Sequence, residues 1–457
     1  MSAAVALFTA DLRVHDNPVL RSALATAEQV VPLFVVDSGV AAAGFLVPNR
    51  AAFLADALAA LDAALRARGG RLVVRHGEVV EETCRVAEET GAPTVHVAAG
   101  PSGYAARRES RLRAALCRAG RELRVHDGVV TAVAPGAVVP SGKDHYAVFT
   151  PYFRRWQAEP VRDVLPAPRA LTVPPVRSDA LPSAASLAPG TASPGLPEGG
   201  EEAGRERLRR WEAGPLDAYA RQHDDLPADG TSRLSPYLHF GCLSPVEVLH
   251  RARRHGGAGA DAFVRQLAWR EFHHQMLAAR PDAGRHDYRP RGDHWRDAPE
   301  EVAAWREGRT GYPIVDAGMR QLLHEGWMPG RARLLAASFL TKTLYVDWRV
   351  GAAHFLDLLV DGDVANNQLN WQWAAGTGSD TRPQRVLNPL TQARRFDPQG
   401  DYVRRWVPEL AGIEGAAVHR PWLLPAAARD GLGYPGPVVD LAEGLARFRR
   451  ARGEPTP

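Results

Sequence analysis

The sequence predicts an α/β fold for its first part and a mostly helical fold for its second half. Three observations carry this. Between residues 5 and 126, short apolar, β-branched runs alternate with helix-like stretches. Residues 165–200 contain eight prolines among Ser, Ala and Gly, a composition that cannot keep a regular helix or a central strand. Beyond residue 200 the apolar spacing turns helical and no strong strand pattern returns.

Taken in order, the candidate strands cover 5–8, 30–36, 72–75, 94–98 and 123–126, with helices over 18–27, 50–68, 79–89 and 104–118 between them. Runs of this kind suit strands covered on both faces, and the alternation predicts a doubly wound, Rossmann-like parallel sheet. No Gly-x-Gly-x-x-Gly follows the first strand, so the usual dinucleotide fingerprint is absent. The expected division is an α/β domain over 1–131, a Pro-rich connector over 132–200 and an all-α domain over 201–457. In the last, helices are expected over 262–279, 331–346 and 352–359.

Composition limits the functional classes. The chain has 457 residues, 45% hydrophobic and 24% charged, as in ordinary globular proteins. Lys plus Arg is 56 against 52 acids, and the resulting +4 does not by itself announce a nucleic-acid partner. The basic residues are mostly Arg, which forks onto phosphate better than Lys, though a GC-rich genome gives the same bias. Cys84, Cys117 and Cys242 are too few and too scattered for a disulfide framework, a zinc site or a four-Cys cluster. No metal is expected, and the setting reads as reducing and cytoplasmic. Residues 3–10 read as a first strand, not a signal peptide, and no run is long enough to span a bilayer. A monomer without membrane attachment is expected.

Three stretches carry chemistry. Thr231, Ser232, Arg233, Leu234, Ser235 and Pro236 place three hydroxyls and a guanidinium ahead of a helix, which suits a pyrophosphate and equally a plain helix cap. Gln266, Trp269, Arg270 and His273 share a helical face at i, i+3, i+4 and i+7, either lining a polar, π-rich pocket or forming a partly exposed face with a snorkelling Arg. The densest stretch holds Asp361, Asp363, Asn366, Asn367, Asn370, Trp371, Gln372, Trp373, Asp380 and Arg385. Amides, carboxylates and indoles do not build an apolar core, and a heteroaromatic ligand would satisfy them. Asp361-Gly362-Asp363 lacks the remaining positions of a calcium loop.

These stretches occur in order with Gly311-Tyr312-Pro313-Ile314-Val315-Asp316 and Trp327-Met328. Near the start stands Asp11-Leu12-Arg13-Val14-His15-Asp16-Asn17, and near the end Phe396-Asp397-Pro398 and Trp406-Val407-Pro408-Glu409-Leu410. With these motifs the chain resembles the DNA photolyase and cryptochrome family over nearly its whole length, and within it the bacterial class I cyclobutane-pyrimidine-dimer photolyases. The proline-rich connector is unmatched.

The resemblance implies FAD in the helical domain. Tyr219, Thr231, Ser232, Arg233, Leu234 and Ser235 match positions that contact its phosphates and sugar, and Arg270 one beside the cofactor. Arg333 and Asp361 match an ion pair over the isoalloxazine, with Asp363 near the ribose or flavin edge. Asn367 matches the amide that faces flavin N5, where it is expected to donate to the reduced ring. Trp371, Trp348 and Trp295 match an electron-transfer chain to the surface. Trp269 and Trp373 match the indoles flanking a flipped pyrimidine dimer, and Arg331 and Arg385 match phosphate contacts. The implied function is light-driven repair of dimer-containing DNA by electron transfer from reduced FAD.

Three positions depart from the family pattern. Gly330 replaces an Asn that reaches toward flavin and dimer, and it follows Pro329 where a His is usual. Gln266 replaces a Glu that hydrogen-bonds the dimer. Leu334 replaces a Met, a swap that conserves volume. The first two leave open a cryptochrome-like photoreceptor that binds FAD with weak or no repair. A second, antenna chromophore is implied in the α/β domain along residues 34–53, including Asp37 and Arg50, and 8-hydroxy-5-deazaflavin is favoured over a folate.

Overall fold

The computed structural model of the protein describes residues 2–453. Five strands form one sheet: β1 Ala3–Phe8, β2 Gln29–Asp37, β3 Val73–Gly77, β4 Thr94–Ala98 and β5 Glu122–His126. All adjacent pairs are parallel and the order is β3-β2-β1-β4-β5. Between them run α1 Pro18–Thr26, α2 Pro48–Arg66, α3 Val79–Glu89 and α4 Gly103–Arg118. Parallel neighbours require these crossovers. Every residue of β1 is buried, and Val5 pairs with Val31 on one side and Val95 on the other. The α/β fold is as the alternation predicts. Polar side chains set the helix starts: Asn17, Glu78 and Ser102 cap α1, α3 and α4 by accepting backbone N–H bonds.

The chain packs as two compact units. The first runs to Ala192 and adds Pro197–Asp217 and Ser232–Pro281; the second comprises Ser193–Leu196, Ala218–Thr231 and everything from Asp282 on. The helices Glu201–Glu212 (α6, after α5 at Phe149–Ala158), Pro245–His255 (α7) and Gly257–Ala279 (α8) therefore pack with the sheet, and the compositional change near residue 200 is not where packing divides. Up to Ala192 the proline-rich stretch belongs to the first unit, with Leu171 N–H donating to Arg68 O at 2.9 Å and Asp179 N–H to Val74 O at 2.9 Å. It does hold one helical turn, Ala184–Leu187, capped by the Ser183 side chain.

Buried charges fasten the first unit. The 11–17 motif serves here: the Arg13 guanidinium, 1% exposed, donates to the carbonyls of Asp16, Val129 and Gly241. Asp16 accepts from Arg162, from the Leu165 N–H at 2.7 Å and from the Ser244 hydroxyl. On α8 the fully buried Glu271 accepts from the Ala132 and Val133 amides and from the Trp156 indole at 2.7 Å. Its removal from water pushes its pKa up, against the pull of those donors.

The second unit is helical, with no strand among its described residues. Its main helices are α9 Pro313–Glu325, α10 Gly330–Ser338, α11 Trp348–Leu358, α12 Val364–Ala375 and α13 Leu441–Ala451. The helix expected over 331–346 is shorter. At Phe339–Thr343 it widens into a π turn, with Leu344 N–H reaching back to Phe339 O at 2.9 Å, and it ends at Tyr345 with φ +61°. The sequence here has no Gly or Pro to announce the break. A tertiary demand imposes it: buried Lys342 donates to Pro383 O at 2.8 Å and Arg385 O at 2.9 Å. Burial lowers the Lys342 pKa to about 8.

Candidate functional site

In the second unit, Arg333 on α10 grips Asp361 in a forked ion pair at 2.8 and 3.1 Å, while its Nε donates to Met328 O at 2.9 Å. The Asp361 side chain is 4% exposed, and Arg333 is its ion-pair partner. Asp363 caps α12 by accepting the Asn366 N–H at 2.8 Å. One turn on, Asn367 is 9% exposed and directs its NH₂ at Ala352 O and Gln368 Oε1, both at 3.0 Å. Both its amide hydrogens are engaged. The atom left for a ligand is Oδ1, an acceptor, where the expectation was a donor.

Trp371, 2% exposed, lies edge-on to Phe355 at 4.9 Å and to Trp305 at 5.9 Å. Trp348 is fully buried, donates from Nε1 to Asp287 at 2.8 Å and lies under Arg349 at 4.7 Å. Trp295 is half-buried and packs on Tyr345, with centroids 4.9 Å apart. Trp373 is half-buried beneath the exposed Arg385, whose guanidinium carbon is 5.5 Å from the ring centre. Arg331 lies 4.2 Å over Phe396 and pairs with Asp224. Gly330 is exposed, and a Cβ there would meet nothing within 4 Å. Leu334 packs against the helical core.

Thr231, at the end of a segment of this unit, has a buried hydroxyl with no partner. Tyr219 is buried beside His223, ring centroids 5.3 Å apart. On the first unit, Arg233 has φ +54°, Leu234 is buried and Ser235 opens a short helix. Ser232 Oγ accepts the Leu234 N–H at 3.4 Å, and its carbonyl is held by Arg207 at 3.0 Å. On α8, Gln266 is exposed, while Trp269 stacks flat on Phe149 at 3.7 Å and 4°. The Arg270 guanidinium donates to Val130 O at 2.9 Å and Leu238 O at 3.3 Å. The face is thus graded: outermost Gln266 exposed, Trp269 and Arg270 partly covered, His273 buried.

Near the ends of β2 and α2, Asp37 accepts from the Tyr104 hydroxyl and from Gly39 N–H at 3.0 Å, and burial raises its pKa. Arg50 is held on Phe45 O at 2.8 Å and over the Phe45 ring at 4.4 Å. Arg108 has a buried Nε without a partner, and burial lowers its pKa. Reading the sequence missed Tyr104 and Arg108 here, and Trp305, Tyr345, Lys342 and Asp224 in the second unit. Tyr104, Arg108, Trp305 and Lys342 are lone residues on elements whose pattern is otherwise that of packing, and Asp224 and Tyr345 lie in connections that carry no motif.

The comparisons give this architecture its class. The model of the FAD binding domain of DNA photolyase matches residues 263–453, and that of DNA photolyase matches 4–170. A deoxyribodipyrimidine photo-lyase from Streptomyces griseus is 67% identical over 455 residues, covering 99% of this chain and 100% of that protein. The chain belongs to the DNA photolyase family. Among solved structures it resembles a bacterial class III photolyase from Agrobacterium tumefaciens (TM-score 0.92, 34% identity, 99% of this chain and 97% of that one). It also resembles a Synechocystis cryptochrome (TM-score 0.91, 29% identity, 98% and 99%).

Proposed function

We propose that this protein is a deoxyribodipyrimidine photo-lyase that repairs cyclobutane pyrimidine dimers in DNA under light. The observation that carries the reading is the pair Trp373 and Arg385, a flat indole with a cation over it on the unit that carries the FAD-binding motif. A flipped dimer needs an aromatic wall, and the phosphates flanking it need a cation. On the same unit Arg331 adds a second cation, and on the first unit Trp269, propped by Phe149, presents an indole face of its own. Exposed Gln266 donates to the dimer through its NH₂.

The residues fit FAD. The orphaned Thr231 hydroxyl needs an acceptor, which a phosphate oxygen would provide, and Tyr219 lies on the same unit; Ser232, Arg233, Leu234 and Ser235 follow Thr231 in sequence. The Arg333–Asp361 pair and Asp363 would hold the ring system, and Asn367, whose Oδ1 is its free atom, would accept a hydrogen from the reduced ring. Bound and reduced, FAD supplies the photochemical electron that opens the cyclobutane. Trp371, Trp348 and Trp295 relay electrons inward when the cofactor is oxidised.

The α/β part carries an antenna chromophore in the region of Asp37, Arg50 and Arg108, and two cations suit the phenolate of 8-hydroxy-5-deazaflavin better than a neutral ring system. The protein works as a cytoplasmic monomer, with 1–131 as antenna domain, 132–200 as connector and 201–457 as cofactor and catalytic domain. One observation favours a photoreceptor instead: Gly330 puts no side chain where the family has an amide. A light-dependent repair assay on dimer-containing DNA with pre-reduced protein decides. Restored thymines support the enzyme; none in light, with FAD bound, supports the receptor.

A further inference from the structure

Lys342 is an unusual residue for its place. It is buried in the second unit, 2% exposed, and its ammonium donates to two carbonyls, Pro383 O at 2.8 Å and Arg385 O at 2.9 Å. Both partners are neutral. The Phe448 ring centre lies 5.5 Å from Nζ; at longer range Asp380 favours the charge, while Arg452 and Arg385 oppose it. An ammonium taken out of water and held by carbonyls is costly as a packing element, and an apolar side chain of similar volume often serves a core as well or better. The two carbonyls belong to one segment, which follows α12 and carries the exposed Arg385. One turn before Lys342, the Ser338 hydroxyl accepts the Leu387 N–H of that segment at 3.1 Å. The segment is also pressed against the end of α12: at Gly376, with φ +81°, an added Cβ would lie 2.6 Å from Pro383 O.

A cation meets a phosphate to most effect when it is held in place beforehand, because a free side chain has to be ordered at the moment of binding. Arg385 is long and exposed, and its guanidinium carbon stands 5.5 Å from the Trp373 ring centre. The backbone beneath it is pinned at residues 383, 385 and 387 by two side chains, one from α10 and one from the π turn that follows it. We propose that Lys342, with Ser338 one turn before it, is a positioning residue for DNA binding: the two clamp the 383–387 segment so that Arg385 stays poised over Trp373 to take a phosphate. The π turn thereby has a purpose, since it is the element that delivers an ammonium to this segment. A charged donor holds a carbonyl roughly twice as strongly as a neutral one, a grip that a hydroxyl or amide in its place does not match. The clamp touches neither cofactor nor DNA. It acts through Arg385, and in this respect the inference rests on the phosphate role given to that residue above.

Two measurements on FAD-loaded protein test this. Trypsin needs a locally opened chain to cut the Arg385–Val386 bond, and mass spectrometry of the fragment that begins at Val386 gives the rate. Cleavage should quicken in Lys342→Met and, to a lesser degree, in Ser338→Ala. Affinity for dimer-containing DNA is the second measurement. It should fall about tenfold in Arg385→Ala, the loss of one charged hydrogen bond at its lower end. In Lys342→Met it should fall roughly threefold to tenfold, the ordering cost of one side chain. Adding Lys342→Met to Arg385→Ala should weaken binding no further, whereas general damage to the fold would add to the loss. FAD content and melting temperature show that each variant is folded; should Lys342→Met not fold, Ser338→Ala runs the same cycle. Losses that add, or a clamp variant whose cleavage or affinity matches wild type while Arg385→Ala binds weakly, overturn the proposal. Faster cleavage in the clamp variants, with dimer affinity untouched by Arg385→Ala, keeps the hold on the segment and overturns the phosphate role of Arg385 instead.

Discussion

Trp371 occupies the space in which residue 351 would carry a side chain: a Cβ added to Gly351 would lie 2.1 Å from Cη2 of the indole. The α11 backbone thus forms part of the wall that fixes this ring. Gly351→Ala should destabilise the protein by about 1–3 kcal/mol, the usual range for overpacking a core. Gly330→Ala is the control, because nothing lies within 4 Å of its Cβ. That variant should be neutral or gain about 0.5–1 kcal/mol from helix propensity. Denaturant unfolding of both proteins measures the contrast.

Trp371→Phe should lose photoreduction of oxidised FAD while repair by pre-reduced protein continues. Phenyl fills most of the same space against Phe355 and Trp305 but is far harder to oxidise. Steady illumination with an external reductant, followed by the repair assay on the same sample, separates the two effects. Photoreduction at the wild-type rate would remove Trp371 from the relay.

Thr231→Val removes a buried hydroxyl that has no protein partner. FAD affinity should fall by about tenfold, the worth of one hydrogen bond to a charged group at its lower end. The apoprotein should unfold no more easily than wild type, since no protein bond is lost. Equilibrium titration of apoprotein with FAD, paired with apoprotein melting, checks both halves.

The double variant Pro329→His, Gly330→Asn restores the side chains the family carries. The open surroundings of Gly330 admit the amide without a clash. Dimer affinity should stay within about tenfold, as one neutral hydrogen bond is worth roughly 1 kcal/mol. Repair yield per photon should rise, because an amide acts more strongly on a charged intermediate than on the resting dimer. Affinity and quantum yield measured side by side give the answer.

Acid should act through the sheet. His96 is buried on β4 and stacks on His126 of β5, with centroids 5.2 Å apart. Burial first, and then the His126 charge, lower its pKa from 6.5 to about 4. The folded state therefore binds fewer protons than the unfolded chain between those values. The stability this represents is complete above pH 6.5 and is lost as pH falls through 4. His96→Phe should flatten the stability–pH curve between pH 6.5 and 4, as read from urea midpoints.

The strands were legible because each is a short β-branched run between turn residues, and observed ends fall within two residues of those expected. Interruptions within helices were not. Nothing in residues 331–346 foretells the π turn, since its cause is Lys342 reaching carbonyls some forty residues on. The residues expected to hold the cofactor were read from whole motifs, because Arg333 or Asp361 alone reads as a surface charge. Tyr345, Trp305 and Gly351 stayed hidden for the opposite reason. They sit inside ordinary packing patterns, and only the folded chain shows what they touch.

Glu271 has a consequence for how the molecule is made. Its carboxylate receives the amides of residues 132 and 133, which leave the sheet 139 and 138 positions earlier. Asp16 likewise waits for Arg162 and then Ser244. On the ribosome the five strands emerge first and can pair, but their rim stays wet until α7 and α8 leave the exit tunnel. At about 5–20 residues per second that interval lasts several seconds or more. The nascent sheet must spend it with buried-to-be amides open to water, which makes this rim the natural place for a chaperone to hold the growing chain.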